Sequence, residues 1–281
     1  MKPRNLAAIL TLPKQQRFGA MAEGLQLLAE HVGTLRDDLA HLQEAQRSRG
    51  AAVIDGLASE EAAKILILLD VARMGWDDNP AVARQIKSII SHRVRGIYGR
   101  VIEGRPASFG EVRRYADSLR RSHYLDGPND VDWIFRNVVE AEREESLYVD
   151  YVTSEGVSFW MTPASGSELR LELWPSMVID LTLALHRLGC TSEEGLTIIA
   201  DEWKGESLED STHWSVVEGI NTAIFDRLNA AGLCSDALTA SDVRLAREHW
   251  IFPLGSLELS EIKVTHADLQ AQREQWLADQ W

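Results

Sequence analysis

The stretch Ser59-Glu60-Glu61-Ala62-Ala63-Lys64, which runs directly into Ile65-Leu66-Ile67-Leu68-Leu69, decides the fold of this 281-residue chain. At about 100° per residue in a helix, Glu61 falls in the middle of an apolar face and Lys64 at its border. The apolar members of that face are Ile54, Leu57, Ala58, Ile65, Leu68, Leu69 and Ala72. A carboxylate on a core face is costly unless a partner satisfies it. Two interpretations are open: a structural ion pair between helices, or an active-site group.

The segment before this stretch predicts one long helix from Lys14 to Gln46. Its apolar residues recur in steps of three and four, which is the seam of a helix that packs along another helix. They are Phe18, Met21, Leu25, Leu28, Val32, Leu35, Leu39 and Leu42. The partner of this seam is either the next helix of the same chain, expected from Ala51 to Met74, or a second copy of the protein.

The segment after it predicts a third helix from Pro80 to Glu103. Its core stripe comprises Ile86, Ile90, Val94, Ile97 and Val101. His92 and Arg95 are three residues apart and therefore share a face, which lies away from that stripe together with Arg84 and Ser88. A fourth helix is expected after Ser108, with Glu111 completing a capping box, and a fifth from Asp130 to Glu145.

The hydrophobic period then changes to that of β-structure. The stretch Leu147–Val152, a turn, and the stretch Val157–Met161 predict a β-hairpin over 147–161, which should pack on the helices because an isolated hairpin is marginal. Helices return from Pro175 to the end, one of them capped by Thr191 and Glu194. The predicted fold class is therefore all-α with one small β-hairpin. The late tryptophans suggest that the C-terminal half has an aromatic core of its own.

The overall charge is −14, which argues against a general nucleic-acid coat. The segment 84–121 is nevertheless basic, with ten Lys or Arg and three acidic residues. These cations either dock against the protein's own acidic helices or form a local anion site that RNA could occupy. No apolar run is long enough to span a bilayer, and two cysteines form neither a disulfide framework nor a zinc site. We expect a cytoplasmic protein with no membrane partner.

The candidate site combines Glu61 and Lys64 with His92 and Arg95. An acid/base histidine beside cations could act on a phosphate, whereas the same four residues could simply lock the helix register. His92 meets Glu61 only if the third helix is buried on both sides. Arg84, Ser88 and Arg100 are the candidate RNA or phosphate contacts. No metal-ligand or cofactor motif occurs, so we expect neither a metal nor a cofactor.

The order of these motifs resembles that of the AbiV-type abortive infection proteins, a phage-defence family in the HEPN-like superfamily of helical bundles. The matching segments are LASEEAAK at 57–64, SHRVR at 91–95 and ESLYVDY at 145–151, which includes Tyr148 and Asp150, followed by a proline after the hairpin. Arg95 stands where that family usually has lysine. The resemblance covers residues 14–165 and implies a HEPN-like bundle there. The helical region 166–281, either packed on the same core or separate, matches no family.

The resemblance implies an antiviral, toxin-like effector that halts host growth and dimerises. In many HEPN relatives, a histidine and nearby polar groups cleave RNA without a metal. His92 would then be the acid/base, Arg95 and Lys64 would hold the phosphate, and Glu61 would orient them. The alternative is a non-catalytic protein that binds RNA or the ribosome to block translation, or that senses a phage protein. A small-molecule enzyme is the least favoured, because the sequence lacks any cofactor signature.

Overall fold

A long antiparallel pair of helices organises the fold. In this computed structural model, residues 5–75, 80–123, 136–154, 157–163 and 176–279 are described. After a short 3-10 helix (Leu6–Thr11), α1 runs over Lys14–Glu44 and α2 over Ser48–Met74. Gln46 takes a positive φ of 55° in the turn between them. The predicted long helix is confirmed, and the turn lies at 45–47, so that residues 48–50 already belong to α2.

The apolar seam of α1 is buried inside the chain itself. Met21, Leu25 and Val32 are at most 1% exposed, and α1 packs along α2. Of the two partners that the sequence left open, the next helix of the same chain therefore covers the seam. The seam consequently gives no argument for a second copy of the protein.

Helix α2 is the central element of the molecule. It contacts α1 and the helices α3 (Pro80–Ser88), α4 (His92–Glu103) and α6 (Val138–Leu147), as well as two C-terminal helices, α7 (Met177–Arg187) and α8 (Glu193–Glu202). Every residue from Ile65 to Arg73 is buried. This surrounding layer explains why the sequence of α2 is apolar on nearly every side.

The predicted single helix from Pro80 to Glu103 is wrong, because the chain breaks it at 89–91. Ser91 has an extended backbone, and its side chain accepts a hydrogen bond from the Val94 amide, which starts α4 afresh at His92. The break turns Ile90 outward, where it is 64% exposed instead of lying in the core stripe. Ile86, Val94, Ile97 and Val101 are buried as expected.

Two short antiparallel ladders accompany the helices. Helix α5 (Phe109–Arg120) leads into β1 (Ser122–His123), which pairs with β2 (Arg136–Asn137) just before α6. The predicted hairpin is formed by β3 (Asp150–Ser154) and β4 (Val157–Met161). The all-α class with a small hairpin is confirmed. The first hairpin strand begins later than predicted, because α6 extends to Leu147.

The hairpin presents its aromatic side chains to solvent instead of packing them on helices. Tyr151 is 61%, Phe159 44% and Trp160 70% exposed.

The predicted start of the fifth helix near Asp130 lies outside the described residues, and the described helix α6 starts at Val138 after the Asn137 cap.

Five helices form the described C-terminal part of the chain, and the first two of them pack onto α2. The five are α7, α8, α9 (Trp214–Ala230), α10 (Ala240–His249) and α11 (His266–Ala278). Ser192 caps α8 in place of the predicted Thr191. Trp203 and Trp250 are buried against the Arg73 guanidinium of α2, at 5.2 and 3.7 Å from the ring centroids, so their aromatic cluster includes the first half of the chain. No helix in the described ranges has the length and apolar character to cross a membrane.

Candidate functional site

Two adjacent glutamates of α2 have different partners. Glu61 binds Lys64 on the same helix, with 2.5 Å between Oε1 and Nζ. Glu60 faces α4 and α6 instead and contacts three basic side chains. The structure therefore brings together His92 and Arg95, as predicted, but against Glu60, while Glu61 and Lys64 pair with each other.

The Glu60 cluster, which comprises Glu60, His92, Arg95 and Arg143, is held by short contacts. The His92 Nδ1 atom lies 2.8 Å from Oε2 of Glu60, and an Arg95 guanidinium nitrogen lies 3.1 Å from the same oxygen. Arg143 of α6 donates from Nε to the other oxygen, Oε1, at 2.7 Å. Three elements, α2, α4 and α6, thus meet at one carboxylate.

The four side chains of the cluster differ in how exposed they are to solvent. The side chains of Glu60 and Arg95 are 14% and 8% exposed, whereas Arg143 is 34% and His92 47% exposed. Ion pairs shielded from water interact more strongly than exposed ones. Arg95 is therefore buried beside the largely shielded Glu60, and this pair holds a more accessible imidazole and a second guanidinium in place.

The local sequence explains how His92 reaches this position. The Ser91 cap makes His92 the first residue of α4, and Arg95 follows one turn later on the same face. The Arg95 guanidinium also donates to the backbone carbonyls of Ser91 and Ile90. These two hydrogen bonds connect the break between α3 and α4 to the Glu60 cluster.

The geometry favours one protonation form of neutral His92. Its Nδ1 lies within hydrogen-bond distance of both the Glu60 carboxylate and, at 3.0 Å, the Nη2 of Arg95. One nitrogen cannot donate to a carboxylate and accept from a guanidinium at once. The carboxylate contact is the shorter and is charge-assisted, which favours a proton on Nδ1. The Nε2 lone pair is then available as a base, and Glu60 orients the ring.

The other predicted contacts divide between a groove and ion pairs. Arg84 and Ser88 line a groove of about 590 Å³ between α3, the start of α4 and the segment 257–260. Arg100 is instead paired with Glu142 of α6. Tyr148 is 53% exposed, and Asp150 pairs with Met161 at the start of the hairpin. Neither of these two bonds to the Glu60 cluster in the described part of the chain.

Sequence reasoning missed Glu60 and Arg143. Glu60 stands beside the glutamate that the helical wheel selected, and only the rotation of α2 against α4 decides which of the two faces His92. Arg143 lies in the predicted fifth helix, where nothing in the local pattern connects it to α2. The signal that the sequence offered was the presence of two adjacent glutamates, Glu60 and Glu61, either of which could face His92.

A second, buried polar cluster lies deeper along α2 and was also missed. Asp70 Oδ2 accepts hydrogen bonds from the Tyr98 hydroxyl (2.6 Å) and the Leu254 amide (2.7 Å). Arg73 donates to Asn221 and to the Trp250 carbonyl. Burial raises the pKa of Asp70, which Arg73 opposes, and burial lowers the pKa of Arg73 to about 10. Since these groups are shielded from solvent, the cluster joins the two halves of the chain and does not offer a reactive surface.

Within the described ranges, no three His, Cys, Asp or Glu side chains come together as a set that could hold a metal ion. The Glu60 cluster, with one carboxylate among three basic groups, is suited to an anion. No family of known proteins, no curated protein and no solved structure matches this chain.

Proposed function

We propose that this protein is an RNA-cleaving effector of antiviral defence that works without a metal ion, with His92 as the acid/base. The observation that carries the proposal is the contact of 2.8 Å between His92 Nδ1 and Glu60 on a half-exposed imidazole. A carboxylate that fixes Nδ1 leaves Nε2 as the basic nitrogen of a ring that solvent reaches, which a purely structural ion pair does not require.

The proposed reaction uses the neighbouring hydroxyl of RNA as nucleophile. Nε2 of His92 takes the proton of a ribose 2′-hydroxyl, and the 2′-oxygen forms a bond to the adjacent phosphorus. The bond between phosphorus and the 5′-oxygen then breaks, and its electron pair leaves with that oxygen, which takes the proton back from the imidazolium. The products are a 2′,3′-cyclic phosphate and a 5′-hydroxyl. DNA lacks the nucleophile and would not be cleaved.

Arg143 is the side chain best placed to stabilise the charge that develops on the phosphate. It bonds Glu60 through Nε, and its Nη groups form no hydrogen bond with the described residues. Two guanidiniums share one carboxylate, so the cluster keeps a net positive charge. Arg95, which is buried, supports Glu60 and the ring. Lys64 and Glu61 neutralise each other and take no part in this version of the site.

The defensive role and dimerisation rest on the resemblance to AbiV-type abortive infection proteins at residues 57–64, 91–95 and 145–151. That resemblance also motivates host RNA as the target. A toxin-like activity directed at the cell's own RNA would halt growth during infection, and a dimer would place two Glu60 clusters in one particle.

Cleavage of total cellular RNA and tRNA by the purified protein in EDTA tests the proposal. We expect discrete fragments that end in 2′,3′-cyclic phosphate, and their loss in His92→Ala. His31→Ala is the matched control, since His31 is an exposed histidine of α1. Equal melting temperatures of the three proteins would show that the loss is not caused by unfolding. Cleavage that persists in His92→Ala would refute the assigned role.

One observation favours a second candidate function, that of a non-catalytic binding protein. The hairpin exposes a contacting aromatic pair, Tyr151 and Trp160, with ring centroids 5.2 Å apart. Exposed aromatic clusters commonly mark interaction surfaces. Under this alternative, growth arrest in cells would survive His92→Ala and be lost in Trp160→Ala. The reverse pattern would support the catalytic proposal.

A further inference from the structure

The groove beside α4 has the size and lining of a binding site. Its volume of about 590 Å³ lies within the range of about 300–1,000 Å³ typical of ligand sites. One wall is α3, the other is the start of α4 and the segment 257–260. Apolar side chains, among them Val94 and Leu259, line it together with the hydroxyl groups of Ser88, Ser91 and Ser260.

Two cations at the rim of this groove are available to a ligand. Arg84 and Lys87 are three residues apart on α3, share a face and are both exposed. The Arg84 Nε atom lies 3.9 Å from Glu258, the outer limit of an ion pair, and Lys87 has no acidic partner among the described residues. The third cation of the groove, Arg93, is held by Glu140 and Glu261.

The groove adjoins the proposed catalytic cluster through three consecutive residues. Ser91 and Arg93 line the groove, while His92 between them points to Glu60 on the other side. An extended ligand that passes over the start of α4 would therefore touch both places. A polymer with one phosphate per unit fits this arrangement, because one phosphate can lie at His92 and the next at the groove.

We infer that the groove is a subsite for single-stranded RNA. It binds the nucleotide that flanks the cleaved phosphate, with that nucleotide's phosphate at Arg84 and Lys87 and its base against the apolar lining. This inference rests on the proposed function and extends it to substrate binding. Contacts with phosphate make binding dependent on salt, by about 0.7 in the logarithmic slope for each contact with a single strand.

Binding of a short 2′-O-methyl RNA, which lacks the nucleophile and stays intact, tests the subsite by fluorescence anisotropy. We expect the double variant Arg84→Ala/Lys87→Ala to lose about tenfold in affinity and about 1.4 in salt slope. The matched control is Arg244→Ala/Arg247→Ala, two exposed arginines with the same spacing on α10.

The outcomes separate the groove from the catalytic proposal. Equal affinities of the groove variant and the control would overturn the subsite, even if cleavage of unmodified RNA depends on His92. Loss of binding only in the groove variant, without any cleavage, would support RNA binding there and refute the catalytic role alone. If AMP binds as tightly as the RNA strand and with the same dependence on Arg84 and Lys87, the groove accepts a small nucleotide and the RNA subsite is overturned.

Discussion

At the scale of single residues, Glu60 and Glu61 show how one step along a helix changes the role of the same side chain. Glu61 has one lysine partner on its own helix. Glu60 receives contacts from His92, Arg95 and Arg143, which come from two other helices. Glu60 connects three helices, whereas the contact of Glu61 that the described residues provide lies within α2.

We expect Glu60→Gln to lower the free energy of unfolding by about 1–3 kcal/mol, because the buried Arg95 loses its charged partner. Glu61→Gln should cost less than about 1 kcal/mol, since Lys64 can turn its ammonium group to water. Urea unfolding at neutral pH compares the two variants. Equal losses would contradict the central position of Glu60.

His186 gives a dependence of stability on pH. Its Nδ1 lies 2.7 Å from the hydroxyl of the buried Thr191, and burial, followed by the charge of Arg187, lowers its pKa below the usual 6.5. Between the lowered pKa and 6.5, the folded state binds fewer protons than the unfolded state, so stability falls as the pH drops through this window. Above 6.5 this contribution is complete.

Urea unfolding at pH 7.5 and at several values below 6.5 measures this contribution. His186→Gln should show a shallower fall than the unaltered protein, because it removes the titrating group. His31→Gln, which changes an exposed histidine of α1, should keep the original slope. Parallel curves for the protein and His186→Gln would assign the acid sensitivity to other groups.

At the scale of elements, the break between α3 and α4 sets the position of the candidate site. A continuous helix would have kept the predicted stripe through Ile90 and placed His92 in mid-helix. The cap at Ser91 instead ends one helix and starts another within three residues. The orientation of His92 therefore depends on one serine hydroxyl and on the carbonyls that Arg95 binds.

Ser91→Ala should destabilise the protein by about 1 kcal/mol, the usual value of a lost N-cap hydrogen bond. Ser108→Ala is the matched control: Ser108 also occupies an N-cap position, but its side chain makes no capping bond. That change should stay within about 0.5 kcal/mol. Chemical denaturation measures both, and a reversed order would show that the Ser91 bond does not hold α4.

Long periodic segments were predictable, whereas relations between segments were not. The apolar seam of α1 and the apolar run of α2 predicted both helices to within a few residues of their ends, because burial imposes a 3.6-residue period. The break at 89–91 was not predictable, because the helical pattern of apolar residues continues through it. His92 and Arg95 could be selected as a pair on one face. Glu60 could not, because the choice between Glu60 and Glu61 depends on how α2 is rotated against α4.

At the scale of the whole molecule, the basic segment 84–121 is largely neutralised by the protein itself. Its arginines pair with acids from distant elements: Arg93 with Glu140, Arg100 with Glu142, Arg105 with Glu248 and Arg113 with Asp210. Of the two interpretations of this segment, internal docking accounts for most of its cations. Lys87, Arg114 and Arg121, which form no ion pair with the described residues, and the weakly paired Arg84 are left for an external anion.

The buried cluster of Asp70 and Arg73 makes the two halves of the chain depend on each other. Asn221, the Trp250 carbonyl and the Leu254 amide supply bonds to α2 from the C-terminal half. A chain that ends at residue 165 would leave both side chains without these partners and would expose the apolar face of α2 that α7 and α8 cover. We expect this fragment to show no cooperative unfolding transition.

Far-UV circular dichroism during urea unfolding tests this expectation. A chain that ends at residue 264 is the control, since it lacks only α11 and the residues on either side of that helix. Its transition should match that of the full protein in cooperativity. A cooperative transition in the shorter fragment would show that residues 1–165 form an independent domain.

The shared carboxylate of Glu60 also constrains how this protein can evolve. A lineage that replaces it leaves two arginines and a histidine facing one another, so the change is tolerated only where one of them changes too. Positions 60, 92, 95 and 143 should therefore be inherited as a group, and a substitution at one should depend on the residues present at the other three. Among the described residues, Glu61 and Lys64 bond only to each other, so this pair can change without affecting the Glu60 cluster.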